Sequence, residues 1–273
     1  MSYSLRLAHL YPSNMSIYGD RGNVIALTQR SAWRGIELTV TAVEPGDDVD
    51  WASIDLAFFG GGQDSGQTLI AADLLERQGP GLRAAIEGGL VLLAICGGYQ
   101  LLGHYFLTHS GERLPGLGVM DIHTVGGKQR LIGNSVVEAS LDGGRWTVDG
   151  EADGGRWTVE GERSVVGRRS SVVRLVGFEN HSGRTYHGPG VRSLGRVLAG
   201  HGDNGEDGVG GAVYRNIYGC YLHGSLLPKN PQLTDHLLGL ALHRRYGPDA
   251  ELAPLDASLE LRAQQHMIER LAR

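Results

Sequence analysis

The sequence predicts an α/β protein with a mostly parallel central sheet flanked by helices, and three features of its pattern carry that reading. Short apolar runs alternate with stretches of helical spacing through the N-terminal half. Two of the runs, Asp55-Leu56-Ala57-Phe58-Phe59 and Leu90-Val91-Leu92-Leu93-Ala94-Ile95, are apolar without alternation, the mark of strands buried on both faces. Each leads straight into a glycine turn, Gly60-Gly61-Gly62 in one case and Cys96-Gly97-Gly98 in the other. Strand, turn and helix in repetition build parallel sheets covered on both sides.

In order, Leu5 to Leu10 has β composition and precedes a polar loop holding Asn14, Tyr18, Gly19, Asp20 and Gly22. Val24, Ile25, Leu27, Ala32 and Trp33 recur at helical spacing until Gly35 stops them. Glu37 to Val43 reads as a strand. After the strand ending at Phe59, helical stretches run from Gln67 to Gln78 and from Gly81 to Glu87, and the strand ending at Ile95 follows. The second half is richer in strand, at Asn134 to Ala139, Val172 to Phe178 and Val213 to Leu222, and closes with helices at Leu233 to Tyr246 and Leu259 to Leu271. The organisation expected is one domain over 1–273, with an insertion around 141–162 and a helical extension around 231–273. The insertion holds a repeat, Asp142-Gly143-Gly144-Arg145-Trp146-Thr147-Val148 and again Asp153 to Val159. Two such units are too few for a solenoid, so a duplicated hairpin or loop is expected, without a function.

Composition narrows the chemistry. With 273 residues, 41% hydrophobic and 20% charged, the chain has material for a core and is not of disordered type. A net charge of −5 without a basic block argues against nucleic acid and anionic membranes as partners. No signal peptide is read at the N-terminus, and the run Leu90 to Cys96 is far shorter than the ~20 residues of a membrane span. Cys96 and Cys220, the only cysteines, suit a reducing cytoplasm rather than a disulfide framework.

The chemistry concentrates at Cys96. An apolar strand ends at this thiol, two glycines follow, and a helix begins: the pattern of a nucleophile elbow, in which helix N–H groups favour the thiolate. A buried core cysteine is the bland alternative, and the double glycine weighs against it. The thiolate needs a base. His223 is the leading candidate, because it follows a second β-like segment, where a parallel sheet delivers side chains to its ligand edge; His181 and His187 are its rivals. Oxyanion donors are expected from the backbone at Cys96 and Gly97 and from the Gly60-Gly61-Gly62 turn. That turn lacks the Gly-Lys-Ser/Thr ending of a P-loop, and no ATP motif, metal-ligand spacing or Gly-x-Ser-x-Gly occurs, so neither a cofactor nor a metal is expected in this chain.

These residues have a resemblance. Ile95-Cys96-Gly97-Gly98-Tyr99-Gln100 resembles the nucleophile motif of class I (triad) glutamine amidotransferases, whose fold is flavodoxin-like. Tyr221-Leu222-His223-Gly224 resembles the histidine motif of their cobyric-acid-synthase-like branch. Leu10-Tyr11-Pro12, Ile17 to Asn23, Gly177 to Tyr186 and Leu227-Pro228-Lys229-Asn230-Pro231 look like the GatD family, the glutaminase subunits of lipid II isoglutaminyl synthases. The likeness runs from Leu7 to about Arg273 and is broken by the repeat.

The resemblance implies a glutaminase that releases ammonia for a MurT-like, Mur-ligase-type partner, the subunit in which ATP and Mg would bind. It implies Cys96 as nucleophile, His223 as base and Arg130 as the receptor of the glutamine α-carboxylate, with Gln100, Asn180, His181, Gly61, Gly62 and Gly97 lining the same pocket. One position departs from the pattern: where triad enzymes carry a glutamate two residues past the histidine, this chain has Ser225. The carboxylate that orients His223 is then absent or comes from elsewhere, and supply by the partner is the expectation. Asp20 is also open to reading as a helix N-cap. A stand-alone γ-glutamyl hydrolase, a cobyrinate-type amidase subunit and a silent binding subunit are the competing readings.

Overall fold

The computed structural model of the chain describes residues 3–141, 145–149, 156–160 and 172–271. Its first half follows the expected alternation. Strand β1 (Ser4–Leu10) leads through a long loop to helix α1 (Arg21–Ala32), then to β2 (Glu37–Val43) and β3 (Leu56–Phe59). Helix α2 (Asp64–Ala72) continues as a π-helical turn, Asp73–Gln78, into α3 (Gly79–Glu87). Strand β4 (Val91–Ile95) and the short helix α4 (Gly97–Leu102) flank Cys96.

In the second half come β5 (Tyr105–Leu107), β6 (Arg113–Pro115) and the long β7 (Ile122–Ser140). Strands β8 (Arg145–Asp149) and β9 (Arg156–Glu160) precede a second long strand, β10 (Val172–His187). Strands β11 (Arg192–Ser193), β12 (Gly195–Ala199), β13 (Ala212–Tyr214) and β14 (Ile217–Cys220) follow, and then helices α5 (Leu226–Lys229), α6 (Pro231–Tyr246) and α7 (Ser258–Leu271).

Among the described residues the central sheet has the order β11-β13-β14-β4-β3-β1-β2. The run from β14 to β2 is parallel throughout, and β13 and β11 add an antiparallel edge. Every residue of β3 and β4 is buried, which is why these strands read as unbroken apolar runs. Helix α6 packs Leu233, Leu237, Leu238, Ala241 and Leu242 into the core. The single strand expected from Val213 to Leu222 is instead a hairpin of β13 and β14. The chain reverses at Arg215, whose φ of +51° does the work that no glycine advertised.

A second sheet, order β10-β7-β5-β6 with β12 also on β7, packs beside the first. Here the strands expected at Asn134 to Ala139 and Val172 to Phe178 are only parts of longer ones. β7 pairs with β10 from Leu131↔His181 outward, and again from Gly126↔Gly183. Residues 127–130 therefore bulge out of the ladder opposite Ser182, and that bulge hides the strand from a periodicity reading. The repeat gives one strand per unit: β8 and β9 pair antiparallel with Trp146 opposite Val159, while its Gly-Gly segments lie outside the described residues. Among the described residues no helix is long and apolar enough to cross a membrane.

Candidate active site

Four neighbouring parallel strands, β1, β3, β4 and β14, end on one edge of the central sheet, and the loops leaving them meet there. This is the edge on which parallel α/β sheets bind ligands. From β4 comes Cys96, from β14 comes His223, from β3 the Gly60–Gly62 turn, and from β1 the loop that holds Tyr18 and Asp20.

Cys96 has φ +49° and ψ −105°, a strained conformation for a residue with a side chain and the one an elbow imposes. Its N–H completes the ladder to the Cys220 carbonyl at 2.9 Å, and its carbonyl accepts from the Gln100 N–H at 2.9 Å. The turn holds only because Gly98 has no side chain. A Cβ there would stand 2.6 Å from the Phe59 carbonyl oxygen and 2.9 Å from that of Gly60.

His223 is fully buried. Its backbone forms a two-bond antiparallel bridge with Phe178 of β10, so the second sheet fixes the histidine's height. Nδ1 lies 3.3 Å from Asp20 Oδ1, and Asp20 Oδ2 accepts the Gly61 N–H at 2.7 Å. Among the described residues Nε2 is buried without a hydrogen-bond partner. Burial works to lower the imidazole pKa, but the Cys96 charge and the Asp20 carboxylate outweigh it and lift His223 to about 10. Cys96 and His223 meet over Gly61: a Cβ on that glycine would be 2.6 Å from His223 Cε1 and 3.3 Å from Cys96 Cβ.

Asp20 answers the question left open by Ser225. The imidazole finds its carboxylate within the chain, so the expectation that a partner supplies it is overturned. Asp20 is also no side-chain cap, since at the start of α1 it makes no capping hydrogen bond. Ser225 has a different task. Its hydroxyl donates to the Gly19 carbonyl at 2.5 Å and ties the β1 loop down beside His223. Sequence reasoning missed the pairing because β1 and β14 are not adjacent; the loop from β1 crosses the Gly60–Gly62 turn to reach the histidine. A Cβ on Gly60 would sit 2.2 Å from the Met15 carbonyl oxygen, and the Ile17 N–H donates to the Gly61 carbonyl.

The expected oxyanion donors need correcting. The Cys96 N–H is taken by Cys220 and the Gly61 N–H by Asp20. Among the described residues the Gly62 and Gly97 N–H groups have no acceptor. They are close neighbours, because a Cβ on Gly97 would come within 3.0 Å of the Gly62 nitrogen. That pair is the donor set available to an oxyanion.

Beside Cys96 lies a cavity of about 370 Å³, lined among others by Tyr18, Gly62, Gln67, Gln100, Arg130, Asn180 and His181. The β7 bulge delivers Arg130 to its mouth. Asn180 Oδ1 accepts from Arg130 Nε at 3.0 Å and from Nη2 at 2.6 Å, and Nη2 also reaches the Tyr18 hydroxyl at 3.2 Å. Gln100 is buried in a polar chain: it accepts from Gln67 Nε2 at 3.0 Å and donates to the Tyr221 hydroxyl at 3.0 Å, which bonds Thr185 at 2.6 Å. His181 stacks on Tyr221 with centroids 3.6 Å apart, and its Nδ1 bonds the Gly183 carbonyl. Burial lowers it to about 3, so its ring is neutral at physiological pH. His187, the other rival for the base, is bonded to Asp203 at 2.8 Å and to the Tyr99 hydroxyl at 3.1 Å. Among the described residues no cluster of three or more His, Cys, Asp or Glu is placed to hold a metal.

Comparison with known proteins agrees with this geometry. The CobB/CobQ-like glutamine amidotransferase domain matches residues 6–231. The chain is 36% identical over 271 residues to the lipid II isoglutaminyl synthase (glutamine-hydrolyzing) subunit GatD of Staphylococcus aureus, across 99% of this chain and 98% of that protein. With the subunit of the same name from Streptococcus pneumoniae it shares 37% over 251 residues, 92% of this chain and 85% of that one. Among solved structures, PurLQS from Thermotoga maritima superposes with a TM-score of 0.53 at 15% identity, covering 89% of this chain and 99% of that chain, which speaks to the fold alone. The match over most of the chain, together with two relatives aligned nearly end to end, makes this protein an enzyme of the CobB/CobQ-like glutamine amidotransferase family.

Proposed function

We propose that this chain is the glutaminase subunit of a two-part lipid II isoglutaminyl synthase. It hydrolyses L-glutamine and hands ammonia to a MurT-like, Mur-ligase-type partner. That partner binds ATP and Mg and activates the α-carboxyl of D-glutamate in the lipid II stem peptide, and amidation gives D-isoglutamine. The reading assigns the reaction to the reducing cytoplasm, where both free thiols persist. The acceptor and the subunit role are supported by the two near-full-length relatives, both named as glutamine-hydrolyzing subunits of a lipid II isoglutaminyl synthase. The observation that carries the chemistry is the buried line of Asp20, His223 and Cys96 beside the Arg130 cavity.

In the mechanism this supports, Arg130 pairs with the α-carboxylate and lays the γ-carboxamide over Cys96. His223 Nε2 holds the Cys96 proton, as an imidazolium beside the thiolate, and the sulfur attacks the amide carbon. The oxyanion forms between the Gly62 and Gly97 N–H groups. His223 then protonates the nitrogen, the C–N bond breaks, and ammonia leaves behind a γ-glutamyl thioester. Water, deprotonated by the same imidazole, attacks the thioester carbon; the C–S bond breaks and glutamate departs. Asp20 stays ionised and, through Nδ1, orients the ring so that Nε2 faces the sulfur.

The test is Cys96→Ala in the reconstituted pair. Glutamine-dependent amidation of lipid II is lost, while added ammonium still supports it. Failure of ammonium to rescue would sink the assignment of Cys96 to ammonia release. One observation favours a second reading: the orienting carboxylate lies within the chain, as a free-standing γ-glutamyl hydrolase requires. Turnover of glutamine that is unaffected by any partner would favour that enzyme.

A further inference from the structure

We infer that Tyr18 is a positioning residue of this site, coupling the carboxylate receptor Arg130 to the base His223, an inference that rests on the glutaminase reading. Its ring meets the His223 imidazole edge-on, with centroids 5.0 Å apart. Its hydroxyl accepts from Arg130 Nη2 at 3.2 Å. The same side chain lines the cavity that contains Cys96. It touches both ends of the machinery.

Neither core packing nor backbone ease explains its position. The side chain is 41% exposed, so little is gained by burying it. Its φ is +55°, a conformation that aromatic residues rarely adopt. Hydrogen bonds on both sides hold it there: the Ile17 N–H donates to Gly61, the Asp20 N–H donates to Ile17, and Ser225 donates to the Gly19 carbonyl. The loop thus anchors its two neighbours and leaves the tyrosine projecting over the mouth.

The consequence for Arg130 is orientation. Asn180 takes Nε and Nη2 of the guanidinium, Tyr18 takes Nη2 as well, and Nη1 has no partner among the described residues. Two fixed partners set the plane of the fork and leave one amine for an incoming carboxylate. The consequence for His223 is dryness, because the ring sits against an imidazole that is 0% exposed. The hydroxyl therefore serves substrate affinity, and the ring serves the turnover step.

Full-length protein and its Tyr18→Phe and Tyr18→Leu variants are treated with 6-diazo-5-oxo-L-norleucine, a glutamine analogue with an electrophilic side chain and a free α-carboxylate. Alkylation of Cys96 is followed by intact mass. Iodoacetamide, which lacks the carboxylate, serves as the second probe. Tyr18→Phe raises the half-saturating concentration of the diazoketone about threefold to tenfold, the net worth of one solvent-exposed hydrogen bond, with little change in maximal rate. Its iodoacetamide rate stays at the wild-type value, which a general loss of structure would not allow. Tyr18→Leu also lowers the maximal diazoketone rate, by about tenfold. In an Arg130→Ala background Tyr18→Phe has no further effect. Unchanged half-saturation in Tyr18→Phe, or an equal loss with both probes, overturns the inference. Wild-type Cys96 that reacts with iodoacetamide but not with the diazoketone overturns the glutaminase reading, and this inference with it.

Discussion

Asp20 Oδ1 stands 3.3 Å from His223 Nδ1, with both side chains fully buried, and the Gly61 N–H secures the other carboxylate oxygen at 2.7 Å. With one oxygen held by the backbone, the other is turned toward the imidazole. This contact sets a carboxylate of the same chain against the imidazole.

Asp20→Asn is therefore expected to reduce glutaminase kcat on the order of 10²–10⁴-fold, the range for losing control of a catalytic imidazole's tautomer. KM for glutamine stays near wild type, because Asp20 does not line the cavity. Steady-state glutamate release checks both values. Ammonium-dependent amidation by the proposed complex is expected to be unaffected.

Two glycine substitutions separate stability from chemistry. Gly98→Ala drives a methyl into the Phe59 and Gly60 carbonyls at 2.6 and 2.9 Å, backbone that cannot step aside, and costs about 1–3 kcal/mol in a denaturant titration. Gly61→Ala places its methyl 2.6 Å from His223 Cε1 and 3.3 Å from Cys96 Cβ. It is expected to lose glutaminase activity by more than about tenfold while its unfolding midpoint falls less than that of Gly98→Ala.

Restoring the family's glutamate by Ser225→Glu fails to improve the enzyme. Ser225 Oγ lies close against Gly22, where an added Cβ would stand 2.1 Å away, so a longer side chain must turn away from the loop that carries Asp20. The variant also loses the hydrogen bond to the Gly19 carbonyl that holds the Asp20 loop. Lower kcat is expected, and a rise in kcat would refute the claim that Asp20 is the orienting group.

The pH dependence follows from His223. Its folded pKa, about 10, lies above the ordinary 6.5, so its charge interactions stabilise the fold fully below about pH 6.5, and that contribution is lost as pH rises through 10. Burial alone would lower the value; the Cys96 charge is the largest effect opposing it. In Cys96→Ala the imidazole is expected to titrate well below its wild-type position, followed through its ring resonances by NMR. An unchanged titration would show that the sulfur carries no charge beside it.

Arg130→Lys keeps the charge but loses the planar fork that Asn180 aligns. KM for glutamine is expected to rise about tenfold or more, from loss of the aligned guanidinium contact to the carboxylate, with a smaller change in kcat. Titration of glutamine against the reconstituted enzyme measures the split.

Much of the fold and part of the site lie open in the sequence, for a local reason. The alternation of buried strand and helix needs only the hydrophobic pattern of each segment. The elbow needs only an apolar strand, a thiol and two glycines in succession. Those features name Cys96 without any knowledge of what lies across the sheet. His223 is marked by its place at a strand end, and Arg130 by its resemblance to a family position. What the tertiary structure alone decided is every relationship between loops distant in sequence. Among these are the Asp20–His223 contact, the capture of the Gly61 N–H that leaves Gly62 and Gly97 as the open donors, the bulge opposite Ser182 that swings Arg130 to the cavity, and Tyr18 between them. No periodicity encodes these, because they arise where four strand ends converge and steric crowding, rather than local propensity, assigns each polar group its partner.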